Sequence, residues 1–251
     1  MRMSDGLEML EIGGEAFGQR MMLNPVLVWD EEASVLIDTG MPGQFEQIRR
    51  EIEKAGVPIS SLQAVILTHQ DIDHIGNLPD LLQEAGGRAK SYAHKLEKPY
   101  IEGERPLMKT DPKHMDEETK KAMPQALLAI LEHPPKAKID RELEDGMELP
   151  FCGGIRVIAT PGHTAGHISL YLKKSKTLIT GDALVSSEGV LQPPVPRVTP
   201  DMKQAIKSLE KFLDYDIDRV ICYHGGVSEG DPKERIREII AKDKLVTYRQ
   251  K

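Results

Sequence analysis

Short β-branched runs in this chain end repeatedly in turns that carry a histidine or an aspartate. Ala64-Val65-Ile66-Leu67 leads into Thr68-His69-Gln70-Asp71-Ile72-Asp73-His74. Ile155-Arg156-Val157-Ile158-Ala159 leads into Thr160-Pro161-Gly162-His163-Thr164-Ala165-Gly166-His167. Thr177-Leu178-Ile179 precedes Thr180-Gly181-Asp182, and Arg219-Val220-Ile221-Cys222 precedes Tyr223-His224-Gly225-Gly226. A short apolar run of this kind reads as a buried strand. Each polar cluster then lies at a strand's C-terminal end, where an α/β layer exposes polar groups to a crevice. Imidazole and carboxylate together are the ligand set for zinc, iron or manganese. A solvated turn with helix-capping aspartates would explain one such cluster, but the repetition points to metal.

Helical patterns separate the strands. Phe45, Ile48, Ile52 and Ala55 recur at helical spacing with Gly56 as a stop, and Leu78, Leu81, Leu82 and Ala85 repeat this before Gly86-Gly87. Thr199-Pro200 and Asp231-Pro232 each read as a cap followed by the first helical residue. The runs Met202, Ile206, Leu209, Leu213 and Ile236, Ile239, Ile240 then supply amphipathic faces. Met22 to Asp38 reads as two strands around the acidic turn Asp30-Glu31-Glu32. The residues alone give an α/β fold.

The ordered set His69-x-Asp71-x-Asp73-His74, His163, Asp182 and His224 resembles the metallo-β-lactamase fold superfamily of metal-dependent hydrolases. Leu36-Ile37-Asp38-Thr39-Gly40 matches that superfamily's first motif, an aspartate bracing the metal loops. The likeness runs from about Asn24 to Gly226. Asp38-Thr39-Gly40-Met41-Pro42 and the segment at His163 look most like the N-acyl-homoserine-lactone lactonase and glyoxalase II branches. It implies a four-layer αβ/βα sandwich formed by one domain over residues 1–251, with two divalent metal ions at one edge. His69, His163 and Asp71 would hold the first ion, while Asp73, His74 and His224 would hold the second. Asp182 would bridge them. Asp38 and His167 would support the ligands from behind, His167 by donating a hydrogen bond to one of them.

One position departs from the family pattern, His-x-His-x-Asp-His: the second histidine is Asp71. Diiron oxygen-reducing relatives carry a glutamate at that place. Two divalent ions would bring four positive charges, matched here by three carboxylates and a bridging hydroxide; imidazole at position 71 would leave one positive charge in excess. The more anionic site favours harder ions, so iron or manganese competes with zinc.

Residues 95–141 differ from the rest, being rich in Lys, Glu and Pro, with Pro99, Pro106, Pro112, Pro124, Pro134 and Pro135 breaking any long helix. Its one apolar patch spans Ala122 to Leu131. This insertion reads as a lid or as the arm of a homodimer, with a solvent-exposed loop as the plain alternative. Val190 to Pro200 reads as a second stiff loop, placed to line the pocket. His94 ends a strand-like run near the pocket mouth, whereas His114 and His133 sit in polar, proline-flanked surface sequence. Tyr223 reads mainly as a packed ring.

A formal charge of −7 argues against nucleic acid as a partner. No apolar run approaches the roughly 18 residues of a membrane span. Met1 to Gly14 lacks a signal-peptide core, and the 2 cysteines, Cys152 and Cys222, read as buried thiols of a reducing compartment. A cytoplasmic enzyme acting on a small molecule is expected. Its nucleophile would be a hydroxide held by the metals, attacking a carboxylic ester, lactone or thioester, with Asp73 orienting it and passing on its proton. Two alternatives stay open: a non-haem iron oxidoreductase, suggested by Asp71 but lacking a flavin domain, and a binding protein that has lost a metal.

Overall fold

The computed structural model describes residues 1–16 and 19–249; for residues 15, 16, 19–21, 114 and 244–249 it describes the backbone alone, so the side chain of His114 lies outside the described residues. The chain divides into two compact units, 1–142 and 143–251.

The first unit is built on a seven-stranded sheet in the order Arg2–Ser4, Leu7–Met9, Val26–Trp29, Ser34–Ile37, Leu62–Ile66, Lys90–His94 and Arg141–Leu143. Ser34–Ile37, Leu62–Ile66 and Lys90–His94 run parallel. Parallel neighbours need crossover connections, and here those contain the helices Phe45–Lys54 and Leu78–Glu84. Ile48, Ile52, Leu78 and Leu81 are their buried positions, as the apolar spacing predicts. Every residue of Ser34–Ile37 is buried, as expected of a central parallel strand covered on both faces. The three parallel strands end on one side of the sheet, delivering Asp38, Thr68 and the residues after His94.

The second unit carries a six-stranded sheet in the order Glu148–Leu149, Ile155–Ala159, Ile168–Leu172, Thr177–Ile179, Arg219–Cys222 and Gly226–Val227. Ile206, Leu209, Phe212, Ile236 and Ile239 form its core with Ile158, Leu178, Val220 and Cys222. The Cys222 thiol is fully buried, and desolvation pushes its pKa up to about 12. Cys152 is also buried, and the two do not form a disulfide.

Three local expectations need correction. Thr199 does not cap the following helix; Asp201 does, accepting the Gln204 N–H at 2.8 Å. The helix expected to run through Leu213 is α-helical only over Met202–Ser208 and tightens to a 3-10 helix over Leu209–Asp214. At three residues per turn, Leu209 and Phe212 share one face, and both are fully buried. The stretch read as a stiff loop from Val190 starts instead as the strand Val190–Gln192, paired with Val185–Ser187.

The proline-rich segment is cut into the short helices Lys98–Ile101, Glu117–Ala122 and Gln125–Glu132, and Leu127 and Leu131 of its apolar patch are buried. Among the described residues, no helix is long and apolar enough to cross a membrane.

Candidate metal centre

In the first unit the predicted ligands are organised by Asp38. Ile37 lies opposite Ile66 in the parallel register, so the two strands end together. Asp38 follows with φ 61, a left-handed conformation that a short polar residue such as aspartate tolerates. From there its buried carboxylate accepts the Thr68 N–H at 2.8 Å through Oδ1 and the Thr68 hydroxyl at 2.8 Å through Oδ2. Oδ2 also lies 2.9 Å from His74 Nδ1. A carboxylate can only accept, so His74 carries its proton on Nδ1. Because the Thr68 hydroxyl donates to Asp38, its oxygen accepts from His69 Nδ1, 3.0 Å away. The network thus assigns both rings the tautomer whose Nε2 presents a lone pair.

Those Nε2 atoms face acidic oxygens. His69 Nε2 lies 3.3 Å from Asp71 Oδ2, and His74 Nε2 lies 3.8 Å from Asp73 Oδ2. Asp71 stands at the N-cap of the short helix Ile72–Ile75, yet its side chain makes no capping hydrogen bond. The solvated-turn explanation therefore fails for the residue that best suited it.

The second unit brings together Asp182, His163, His167 and His224. Ile179 and Ile221 are register partners, and Asp182 and His224 each stand three residues beyond, which brings them abreast. Asp182 Oδ2 lies 3.3 Å from His163 Nε2 and 3.5 Å from His224 Nε2. The His224 turn needs Gly225, at φ 89, where a Cβ would collide with the Ser186 carbonyl oxygen. Gly162, at φ 137, likewise leaves no room for a Cβ against the Ala205 backbone beside the His163 loop.

Supporting contacts complete this half. His163 Nδ1 lies 3.2 Å from the Thr199 hydroxyl, the use that takes Thr199 away from capping. His167 does not donate to a candidate ligand as expected but accepts from one: the Asp182 N–H donates to His167 Nε2 at 3.0 Å. Its proton therefore sits on Nδ1, 2.8 Å from the Thr160 hydroxyl, which lies 3.0 Å from Ser169 Oγ. Ser169 in turn donates to the Thr180 carbonyl at 3.0 Å. This chain ties together the ends of three strands. With both ring nitrogens engaged, His167 positions Asp182 and is not itself a metal donor.

The donor set fits a metal ion. In the first unit, an imidazole lone pair repels a carboxylate oxygen 3.3 to 3.8 Å away unless a cation lies between them. Nitrogen and oxygen donors on glycine-bearing turns, oriented by hydroxyls and a carboxylate behind them, are what transition-metal sites use. The other histidines are used differently. His94 is buried and accepts the Leu96 N–H through Nδ1, and His133 is exposed. Tyr223 is buried with its ring edge-on to His224, 5.2 Å between centroids.

Strand ends that carry imidazoles facing carboxylates define a candidate metal centre in each unit. The chain belongs to the metallo-beta-lactamase superfamily, whose family model matches residues 20–224. It is 31% identical over 207 residues to the probable metallo-hydrolase YflN of Bacillus subtilis, covering 76% of this chain and 75% of that one. Over 47 residues, 18% of each chain, it is 53% identical to the hydroxyacylglutathione hydrolase of Brucella anthropi. The crystal structure of the metallo-beta-lactamase family protein TTHA1429 from Thermus thermophilus superposes with a TM-score of 0.71 at 22% identity, covering 97% of this chain and 81% of that one. The fold is therefore the metallo-β-lactamase fold, of the α/β class.

Proposed function

We propose that the chain is a metal-dependent hydrolase that opens a carboxylic ester, a lactone or a thioester. His69, Asp71 and His163 would serve one metal ion, Asp73, His74 and His224 a second, and Asp182 both. The observation that carries this reading is the set of imidazole Nε2 atoms turned toward carboxylate oxygens in each unit. The local identity to a hydroxyacylglutathione hydrolase supports a thioester or a related acyl substrate.

Divalent ions bound there would lower the pKa of a water and polarise the substrate carbonyl. Asp73, half-buried beside His74, would accept the water's proton at its carboxylate and return it to the leaving group. Asp38 would hold His74 and, through Thr68, His69. The 95–141 segment would serve as a lid or as a homodimer arm, and the two buried thiols suit a cytoplasmic setting. Zinc, iron and manganese all match the donors.

The test is elemental analysis of protein expressed in metal-replete medium, followed by a panel of thioesters, lactones and aryl esters. Two metal equivalents per chain and metal-dependent turnover are expected. No more than traces of transition metal would sink the proposal. Asp71 favours one second reading, an iron oxidoreductase; oxygen uptake by the iron-loaded protein, without hydrolysis of any panel member, would establish it.

His167→Ala should lower metal affinity roughly 10- to 100-fold, the usual effect of removing a group that holds a ligand. His133→Ala, at the surface, should not. Competition against a chromophoric chelator measures both, and equal affinities in the two variants would show that His167 only packs.

A further inference from the structure

Asp71 has a second neighbour that the family pattern does not foresee. Lys109, from the 95–141 segment, donates to Asp71 Oδ2 at 2.6 Å. Both side chains are largely shielded, at 14% and 15% exposure, so the pair is poorly screened by water. The same oxygen faces His69 Nε2 at 3.3 Å. The ammonium therefore occupies the carboxylate oxygen that a metal shared by His69 and Asp71 would use.

This contact is built into the fold. Gln70, between His69 and Asp71, is fully buried. Its side-chain amide donates to Glu97 Oε2 at 3.1 Å, and its backbone N–H donates to the same oxygen at 3.0 Å. Its Oε1 accepts the Met108 N–H at 2.9 Å. One buried amide thus pins the residue before Lys109 onto the loop that carries Asp71, which fixes where the Lys109 stem begins. Gln70 and Asp71 thus both engage the inserted segment.

We propose that Lys109 is a resident cation at the first metal position: it holds the Asp71 carboxylate and weakens binding of the metal ion that His69 and Asp71 would share. The proposal rests on the metal reading above. A monovalent ammonium and a divalent ion on one carboxylate oxygen repel each other, and metal binding must either displace the ammonium or bear that repulsion. The second site, through Asp73 and His74, keeps its full affinity. Lys109 also supplies the positive charge whose absence at position 71 pointed toward harder ions. The pair Asp71–Lys109 carries the same net charge as a neutral imidazole, so the charge argument against zinc lapses while the ammonium remains.

The experiment is titration of the chelator-stripped full chain with Zn²⁺ and, separately, Mn²⁺, by calorimetry and by competition with a chromophoric chelator. Wild type should bind one equivalent tightly and the next more weakly. Lys109→Met should tighten the weaker equivalent at least about tenfold, roughly 1.4 kcal/mol, and leave the tight one unchanged. Lys109→Arg keeps the charge and should track wild type. Unchanged affinities in Lys109→Met, or a weaker equivalent that is lost, would overturn the proposal while leaving the metal reading intact. No metal bound by any of the three would overturn both. Circular dichroism of each stripped variant, with Lys109→Arg as the conservative control, separates misfolding from a change of affinity.

Discussion

Alanine in place of any one of His69, Asp182 or His224 should cost at least about a thousandfold in hydrolytic rate, because on the proposed function each would remove a donor to a Lewis acid worth several kcal/mol of transition-state stabilisation. Asp182 should be the most severe. Its Oδ2 faces His163 and His224 together, at 3.3 and 3.5 Å, so its loss disturbs the surroundings of two imidazoles at once. The three proteins should still fold, since the ligands sit on loops while the apolar core lies in the strands and helices behind them. Added metal should rescue His224→Ala most readily, because that side chain is the most exposed of the three, at 28% against 0% for His69 and 10% for Asp182. Initial rates on the best panel substrate, with metal content measured on the same samples, decide the matter. A variant that has lost metal yet keeps its rate would show that the residues do not serve catalysis.

The residues of the candidate metal centre were legible because each follows a short β-branched run, and strand ends are where such layers expose polar groups. The helices Phe45–Lys54 and Pro232–Arg249 were legible for the same reason, from apolar spacing and a cap or stop at their ends. What orients the ligands was not. Thr68, Thr160, Ser169 and Thr199 act through single hydroxyls whose partners are set by strand register, and a hydroxyl carries no signature of its partner. Thr199 stands before a proline and looked like a cap, but its 3.2 Å contact is with His163, 36 residues away. Lys109 was hidden among the many lysines of a segment that reads as a lid or dimer arm and offers no ligand pattern. The one available signal was indirect: an extra carboxylate at Asp71 with no sequence neighbour to offset it. Tertiary contacts spanning 38 residues supplied the answer.

Asp38→Ala should produce the largest loss of stability among the residues of this centre. Three donors converge on the Asp38 carboxylate: the Thr68 N–H, the Thr68 hydroxyl and His74 Nδ1, all buried. Removing the acceptor strands them, at about 1 to 3 kcal/mol for each buried group left unsatisfied. Alanine at φ 61 adds left-handed strain of roughly 1 to 2 kcal/mol. These terms overlap, since Thr68 can turn toward another acceptor, so a total of about 3 to 5 kcal/mol is expected, the range for breaking a buried charged network. Asp38→Asn separates the two contributions. Asparagine accepts the same backbone conformation and keeps the shape, but its amide offers one acceptor where the carboxylate offered two. It should lose about 1 to 2 kcal/mol in stability, and the His74 tautomer should no longer be fixed, so metal retention should fall even where the fold survives. Both variants and wild type should be unfolded in urea after stripping with chelator, so that metal binding does not contribute to the measured difference. Asp38→Ala within about 1 kcal/mol of wild type would mean that Thr68 and His74 find other partners, and that the strand ends, not this carboxylate, hold the loop in place.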